Sequence, residues 1–274
     1  MSVVEVAIGW TDIAATTLLV GGSVYATLVE APQASGQRCL RSAASVLAVA
    51  LVAEIAVNSL RMHRVSGMGG ATLLADVLEM KWTRWWALRG VALVALAVGV
   101  GAARPRWALL AGIGTASLLA RSLQGHAGAH GMLPALIDWA HLSAATVWVG
   151  GLVQLAVLPT VPTAVALRAS RMFTLALIPL VASGVYGAVL HVAALEQLIG
   201  TPYGRVLLGK ITLGAGATTL GVMNHYRHVP SLVRGKADAN GLLCAVRAEV
   251  VVLAIVLLLS ALLSSLPMPH AVAP

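Results

Sequence analysis

The feature that most constrains the fold is the recurrence of apolar stretches of about 20 residues, the length at which a helix crosses the hydrocarbon core of a bilayer. Of the 274 residues, 59% are hydrophobic and only 10% are charged, which excludes a soluble globular domain. We therefore predict an all-α, polytopic membrane protein. Its eight transmembrane helices are expected at residues 8–29, 39–62, 84–104, 107–124, 134–158, 169–193, 204–226 and 242–266.

Part of the first helix is repeated in the fifth. Residues 8–24 read IGWTDIAATTLLVGGSV and residues 137–153 read IDWAHLSAATVWVGGLV, an offset of 129 residues at which eight positions are identical. Asp12 falls opposite His141 and Glu54 falls opposite Ser183; after the second helix the offset is 121, and Arg89 falls opposite Lys210. The pattern predicts two tandem four-helix repeats of parallel topology, residues 1–125 and 126–274.

The charge distribution predicts the orientation in the membrane. Eight crossings return the chain to its starting side, so both termini share one face. The Lys and Arg residues divide ten to eight in favour of the other face, which the positive-inside rule makes cytoplasmic. The formal charge of +8 is explained by anchoring residues at the helix ends, next to the lipid bilayer, and we expect no nucleic-acid partner. Residues 66–81 are expected to form a short amphipathic segment at the outer interface.

Histidine and methionine residues gather near the predicted outer face. Imidazole and thioether groups suit copper, so these residues are candidate ligands. His141 is the strongest candidate, because a titratable side chain inside a membrane helix is costly to keep without a role. A structural hydrogen bond to a neighbouring helix is the alternative for His141. The other candidates are His63, Met68, His126, His130, Met132 and His191.

Acidic residues inside the predicted spans are the second group of candidates. Glu54 and Asn58 share a helix face, and both Glu54 and Asp12 are candidates for a charge relay. Glu249 is expected to pair with a basic neighbour, Arg247 or Lys236. The chain contains no recognisable nucleophile, catalytic carboxylate pair or phosphate-binding loop, so we predict that it is not an enzyme. Cys39 and Cys244 have no CxxC partner and are expected to be packing residues.

The second half resembles the copper resistance protein D (CopD) family of bacterial inner-membrane proteins. The matching blocks, in order, are GHA at 125–127, DWAHLSAATVWVGGL at 138–152, SGVYGAVL at 183–190, TPYGRVLLGK at 201–210, NHYRHVP at 224–230 and AEVVVLAIVLLLSALLSSLPMP at 248–269. The resemblance implies an eight-helix protein that takes copper at the periplasmic face and moves it inward, alongside a small periplasmic copper carrier. His126 and His141 are the residues it singles out first. The chain departs from the family at His225, where members often have arginine.

Two other functions fit the same residues. Inward-facing histidines of membrane helices also hold haem between two imidazoles, so a cytochrome-b-like electron-transfer protein is one alternative. A scaffold that delivers copper to a partner without moving it across the membrane is the other. The sequence alone leaves the copper oxidation state and the direction of movement open.

Overall fold

A computed structural model describes residues 3–66, 79–191, 195–235 and 239–266, and these residues are almost entirely helical. The long helices of this part of the chain are α1 (Val3–Leu28), α2 (Ala34–Ser66), α3 (Lys81–Gly101), α4 (Trp107–Gln124), α5 (Met132–Ala156), α6 (Thr163–His191), α7 (Pro202–Met223) and α8 (Ala239–Ser265). Short helices cover His126–Ala129 and Leu195–Gly200. After α7 the chain continues through a π-helical turn, Asn224–His228, and a last turn, Val229–Val233. The all-helical prediction is confirmed.

Seven of the described helices are long and apolar enough to cross a membrane. The predicted span 107–124 does form a helix, α4, but α4 is not among these seven. α4 has 18 residues and is rich in small and polar side chains, with Arg121 in its last turn. It packs against α1, α3 and α5, so its small residues meet protein: Gly114, for example, lies against Val20. The protein is thus an all-helical, multi-pass membrane protein with seven clearly apolar helices in its described part.

The short connections between consecutive helices, together with contacts between them, show that successive helices run in opposite directions. The Gln37 side chain at the start of α2 donates to the carbonyl of Val100 at the end of α3, at 2.7 Å. The Trp139 indole near the start of α5 donates to the carbonyl of Thr115 in α4, at 2.8 Å. We call the end where α1 begins and α8 ends the terminal end, and the other the opposite end. The connections α4–α5 and α6–α7 lie at the terminal end, and so do the last residues of α2.

The helices form two hydrophobic cores. One is built from buried side chains of α1 to α4, and the other mainly from α5 to α8. The two groups meet where α1 crosses α5. At this crossing Gly21 lies against Gly150 and the carbonyl of Thr146, and Gly150 lies against Gly21 and the carbonyl of Thr17. The 129-residue offset pairs these same residues, so each helix presents equivalent positions to the other. A side chain at either glycine would overlap the facing backbone.

Candidate functional site

The first half contains a buried network of charged side chains. Arg89 of α3 is completely buried and donates to Asp12 of α1 at 2.5 Å and to the Thr16 hydroxyl at 3.1 Å. Arg121 of α4 donates to the other Asp12 oxygen at 2.6 Å. The Glu54 carboxylate of α2 lies 3.6 Å from Arg89 Nη1, which is an ion pair but too long for a hydrogen bond.

This network is balanced in charge: two carboxylates face two guanidinium groups. Asp12, 1% exposed, has Arg partners on both oxygens. Asn58, which shares a helix face with Glu54, donates to the Glu54 backbone carbonyl at 2.9 Å. Breaking a buried pair leaves an uncompensated charge, so these groups are better suited to holding four helices together than to exchanging ions.

His141 of α5 occupies the equivalent place in the second half and is half-buried. Its Nδ1 lies 3.3 Å from the carbonyl oxygen of Leu180 and 3.1 Å from the Ser183 hydroxyl, both in α6. Gly184 leaves room for the imidazole, because a side chain there would contact the ring. Lys210 of α7 is close enough to interact electrostatically with His141 and also with Asp138.

The partners of His141 determine its tautomer. A carbonyl oxygen only accepts, so the contact with Leu180 requires a proton on Nδ1. The Ser183 hydroxyl donates to the carbonyls of Pro179 and Leu180, and so its oxygen also accepts from Nδ1. The lone pair is then on Nε2, which has no hydrogen bond within the described part of the chain. Metal-binding histidines use this same arrangement, in which one ring nitrogen donates to a carbonyl and the other binds the metal.

The two halves place different groups at the same three positions. In the first half Asp12, Glu54 and Arg89 form ion pairs. Their partners at the repeat offsets are His141, Ser183 and Lys210, which also lie together but include no carboxylate. In the first half these side chains are therefore occupied by ion pairs with one another. In the second half it offers an imidazole nitrogen with a free lone pair.

The remaining predicted ligands lie at the terminal end, as far as they are described. His63, near the end of α2, His130 and Met132 are exposed. His126 opens the one-turn helix and His191 ends α6, but their side chains are outside what the structure describes; Met68 and most of the predicted segment 66–81 lie outside the described residues. Among the residues described, no three His, Cys, Asp or Glu side chains come together as a metal site. The predicted ligand set remains a prediction.

A second polar cluster lies nearer the opposite end, and the sequence analysis missed it. Glu249 of α8 is 1% exposed and accepts hydrogen bonds from the Trp148 indole at 3.0 Å and from the Asn224 amide at 2.8 Å. Arg247 does not contact it and instead donates to the carbonyl of Ala156 at 3.2 Å; Lys236 lies outside the described residues. The sequence did contain an indication of this cluster, because Glu249 is the one acidic residue of the apolar helix α8.

A cavity of about 230 Å³ adjoins this cluster, between α5, α6, α8 and the end of α7. Glu249, Asn224 and Trp148 form part of its wall. His225, in the π-helical turn, also lines it; its Nδ1 lies 2.7 Å from the Ser170 hydroxyl of α6. π-Helical turns are rare and are frequently found at functional sites. The position that departs from the predicted family is thus in the wall of a cavity.

Comparison with known proteins supports the predicted relationship. Residues 163–263, which include α6, α7 and most of α8, match the family model of copper resistance protein D. The predicted resemblance is confirmed over this part of the chain. No curated protein and no solved structure gave a significant match.

Proposed function

We propose that this chain, whose residues 163–263 match copper resistance protein D, captures copper at the terminal end of the bundle and passes it inward. The observation that carries the proposal is the geometry of His141. Its Nδ1 is held by Leu180 and Ser183, so Nε2 keeps its lone pair available inside the bundle. Imidazole nitrogen is a good ligand for copper in either oxidation state.

One imidazole does not hold a copper ion by itself, so further ligands must come from the terminal end. His126, His130 and Met132 directly precede α5 or open it, and His63 and His191 lie near the ends of α2 and α6 on the same side. Met68 follows α2 in the sequence. In the proposal these residues form the entry site and His141 binds the ion one step deeper. Asp138 interacts with Lys210 and so offsets the positive charge next to the incoming ion.

The proposed architecture has eight crossings in two parallel four-helix repeats, with α4 as the eighth. The symmetric contact of Gly21 with Gly150 and the two separate cores support it. The proposed location is the bacterial inner membrane, with both termini and the entry site in the periplasm. There a periplasmic copper carrier would hand its ion to the exposed histidines and methionines.

The test is copper binding by purified protein, measured by competition with a chromophoric Cu(I) chelator. The wild-type chain should bind about one copper, and His141→Ala should weaken binding by more than the 10–100-fold typical of losing an outer-shell partner. His228→Ala is the matched control, since it removes a half-buried imidazole at the opposite end and should leave binding unchanged.

Three outcomes separate the proposal from its rivals. Copper binding that survives alanine at both His126 and His141 would remove the proposed site. A Soret band in the absorbance spectrum would show haem in place of copper. Binding without copper uptake into vesicles would favour a delivery scaffold over a transporter.

A further inference from the structure

Glu249 differs from the other buried carboxyl groups in having no positive partner. Both of its oxygens accept hydrogen bonds, but the donors are the Trp148 indole and the Asn224 amide, which are neutral. Asp12, in contrast, pairs with Arg89 and Arg121, and Glu54 pairs with Arg89. No charged side chain of the described residues forms an ion pair with Glu249. The chain therefore contains two chemically distinct kinds of buried acid.

A buried carboxylate without a cation is costly, because the interior does not replace the lost hydration of the charge. In a membrane protein such a group stays neutral, or it becomes charged only where water reaches it. Two hydrogen-bond donors reduce the cost of the charged form without removing it. Glu249 is thus positioned to exist in either protonation state, whereas Asp12 has an arginine on each of its two oxygens.

The cavity gives Glu249 a route to one side of the membrane. Glu249 lies in its wall, and the wall extends to His225 and Tyr226 in the π-helical turn, where the Tyr226 side chain is 74% exposed. α6 and α7 scarcely touch each other along their length, which leaves space for the cavity between them. His225, bonded to Ser170, is a second titratable side chain in the wall of this cavity.

Asn224 adds a second feature that points to a proton donor in the cavity. Its amide nitrogen donates to Glu249, so its Oδ1 atom faces away from that carboxyl group. This Oδ1 is buried, in a residue that is 7% exposed, and none of the described residues hydrogen-bonds to it. A buried acceptor without a donor is costly. The Asn224 Oδ1 atom can therefore accept a hydrogen bond from a molecule in the cavity that carries an O–H or N–H group.

The remaining groups around Glu249 would not compete for its proton. α5 contributes Trp148, α6 contributes the hydroxyls of Ser170 and Thr174, and α8 contributes apolar residues to the same cavity. Arg247 lies two residues before Glu249, but its guanidinium group is bonded to the carbonyl of Ala156. Tyr226 stacks edge-on against His225 at 4.6 Å and lies at the surface.

We propose that Glu249 is a proton-exchange site that binds and releases one proton through this cavity, at the opposite end of the bundle only. Release breaks the carboxyl O–H bond, sends the proton to water at that end and leaves a carboxylate; no electrons are transferred. A second part of the proposal rests on the proposed function. The carboxylate supplies the negative charge that draws a copper ion inward from His141, so pH at the opposite end controls the rate of copper movement.

The first experiment uses infrared spectroscopy of the purified full chain and does not involve copper. The protonated-carboxyl absorption of the wild type at acid pH should include a component that disappears as pH rises and that is missing from Glu249→Gln at every pH. Glu54→Gln is the matched control and should keep this component. Persistence of this component to alkaline pH in the wild type, or its survival in Glu249→Gln, would overturn the proposal, and so would its absence from the wild type throughout.

The second experiment measures copper uptake into vesicles with the pH set separately on each side. As long as Glu249 is protonated in most molecules, its ionised fraction rises about tenfold for each pH unit. Copper uptake should therefore rise by about the same factor for each unit of pH increase at the opposite end. It should not respond in this way to pH at the terminal end. Glu249→Gln should make uptake slow and independent of pH at the opposite end, with copper binding at His141 retained.

The two experiments separate the two proposals. If the wild type moves no copper, the proposed transport fails while the infrared band still decides whether Glu249 exchanges a proton. If uptake responds equally to pH on both sides, or if Glu249→Gln keeps the pH response, control by Glu249 is excluded.

Discussion

Arg89 is completely buried in the bundle, and Asp12 is its closest counter-charge. The D12N substitution keeps the side-chain volume and removes the negative charge. Glu54, 3.6 Å from Arg89, is then the remaining carboxyl group of this cluster. We expect a loss of about 3–5 kcal/mol in the free energy of unfolding, the range for breaking a buried ion pair by removing one partner. Denaturant unfolding in detergent, followed by tryptophan fluorescence, measures it.

The control is Glu196→Gln, which removes an equal charge from an exposed side chain in the short helix Leu195–Gly200. Surface substitutions of this kind change stability by about 0.5 kcal/mol or less. Equal stability of D12N and Glu196→Gln would show that the network does not hold α1, α3 and α4 together. It would also leave Asp12 available for the charge relay predicted from the sequence.

Individual residues of the site were predictable only in part. His141 was found because an imidazole inside an apolar helix is unusual, and the structure adds its hydrogen bonds to Leu180 and Ser183. The repeat offsets already placed Asp12 opposite His141. The role of Glu249 was not predictable in this way, because Arg247 is close in sequence and looked like its partner. That guanidinium group is in fact bonded to the carbonyl of Ala156.

At the scale of the helices, the crossing of α1 and α5 depends on two glycines. Gly21→Ala would place a methyl group into the backbone of Thr146 and Gly150, which cannot move aside as a side chain could. We expect a destabilisation of about 1–3 kcal/mol, typical of overpacking. The measurement is the shift of the unfolding midpoint in detergent.

Gly216→Ala in α7 is the matched control, because an added methyl group there meets no atom within 4 Å. In a helix interior alanine is favoured over glycine by about 0.5–1 kcal/mol, so this variant should be slightly more stable than the wild type. The two variants should therefore shift stability in opposite directions. A shift of the same sign in both would contradict the close approach of α1 and α5.

The positions of the helices were predictable because an apolar stretch must be helical in a bilayer. Their ends were less so: α1 begins at Val3, five residues before the predicted span, and α2 continues to Ser66. The predicted span 107–124 became α4, but its small and polar residues meet α1, α3 and α5, which hydropathy alone does not show. The π-helical turn after α7 had no sequence signal that we recognised, since it depends on how the end of α7 packs.

At the scale of the whole molecule, the proposed orientation predicts which loops are accessible to a reagent on each side of the membrane. Thr160 lies in the α5–α6 connection at the opposite end, and Ala129 lies at the terminal end; both are exposed. In a chain carrying Cys39→Ser and Cys244→Ser, we expect Ala129→Cys to react with a membrane-impermeant maleimide added outside spheroplasts. Thr160→Cys should react only after the membrane is opened. The reverse pattern would invert the orientation and place the histidines at the terminal end in the cytoplasm.

The α1–α5 crossing also limits how such a protein could move. With backbone against backbone and no side chain between them, neither helix can rotate or slide without a steric clash. This contact therefore opposes any rocking of the two halves that turns or slides α1 against α5, a movement that the halves of many transporters make. Any alternation of access would have to come from α6 and α7 shifting against a fixed α5, so that the first half serves as the stationary frame for a gate in the second.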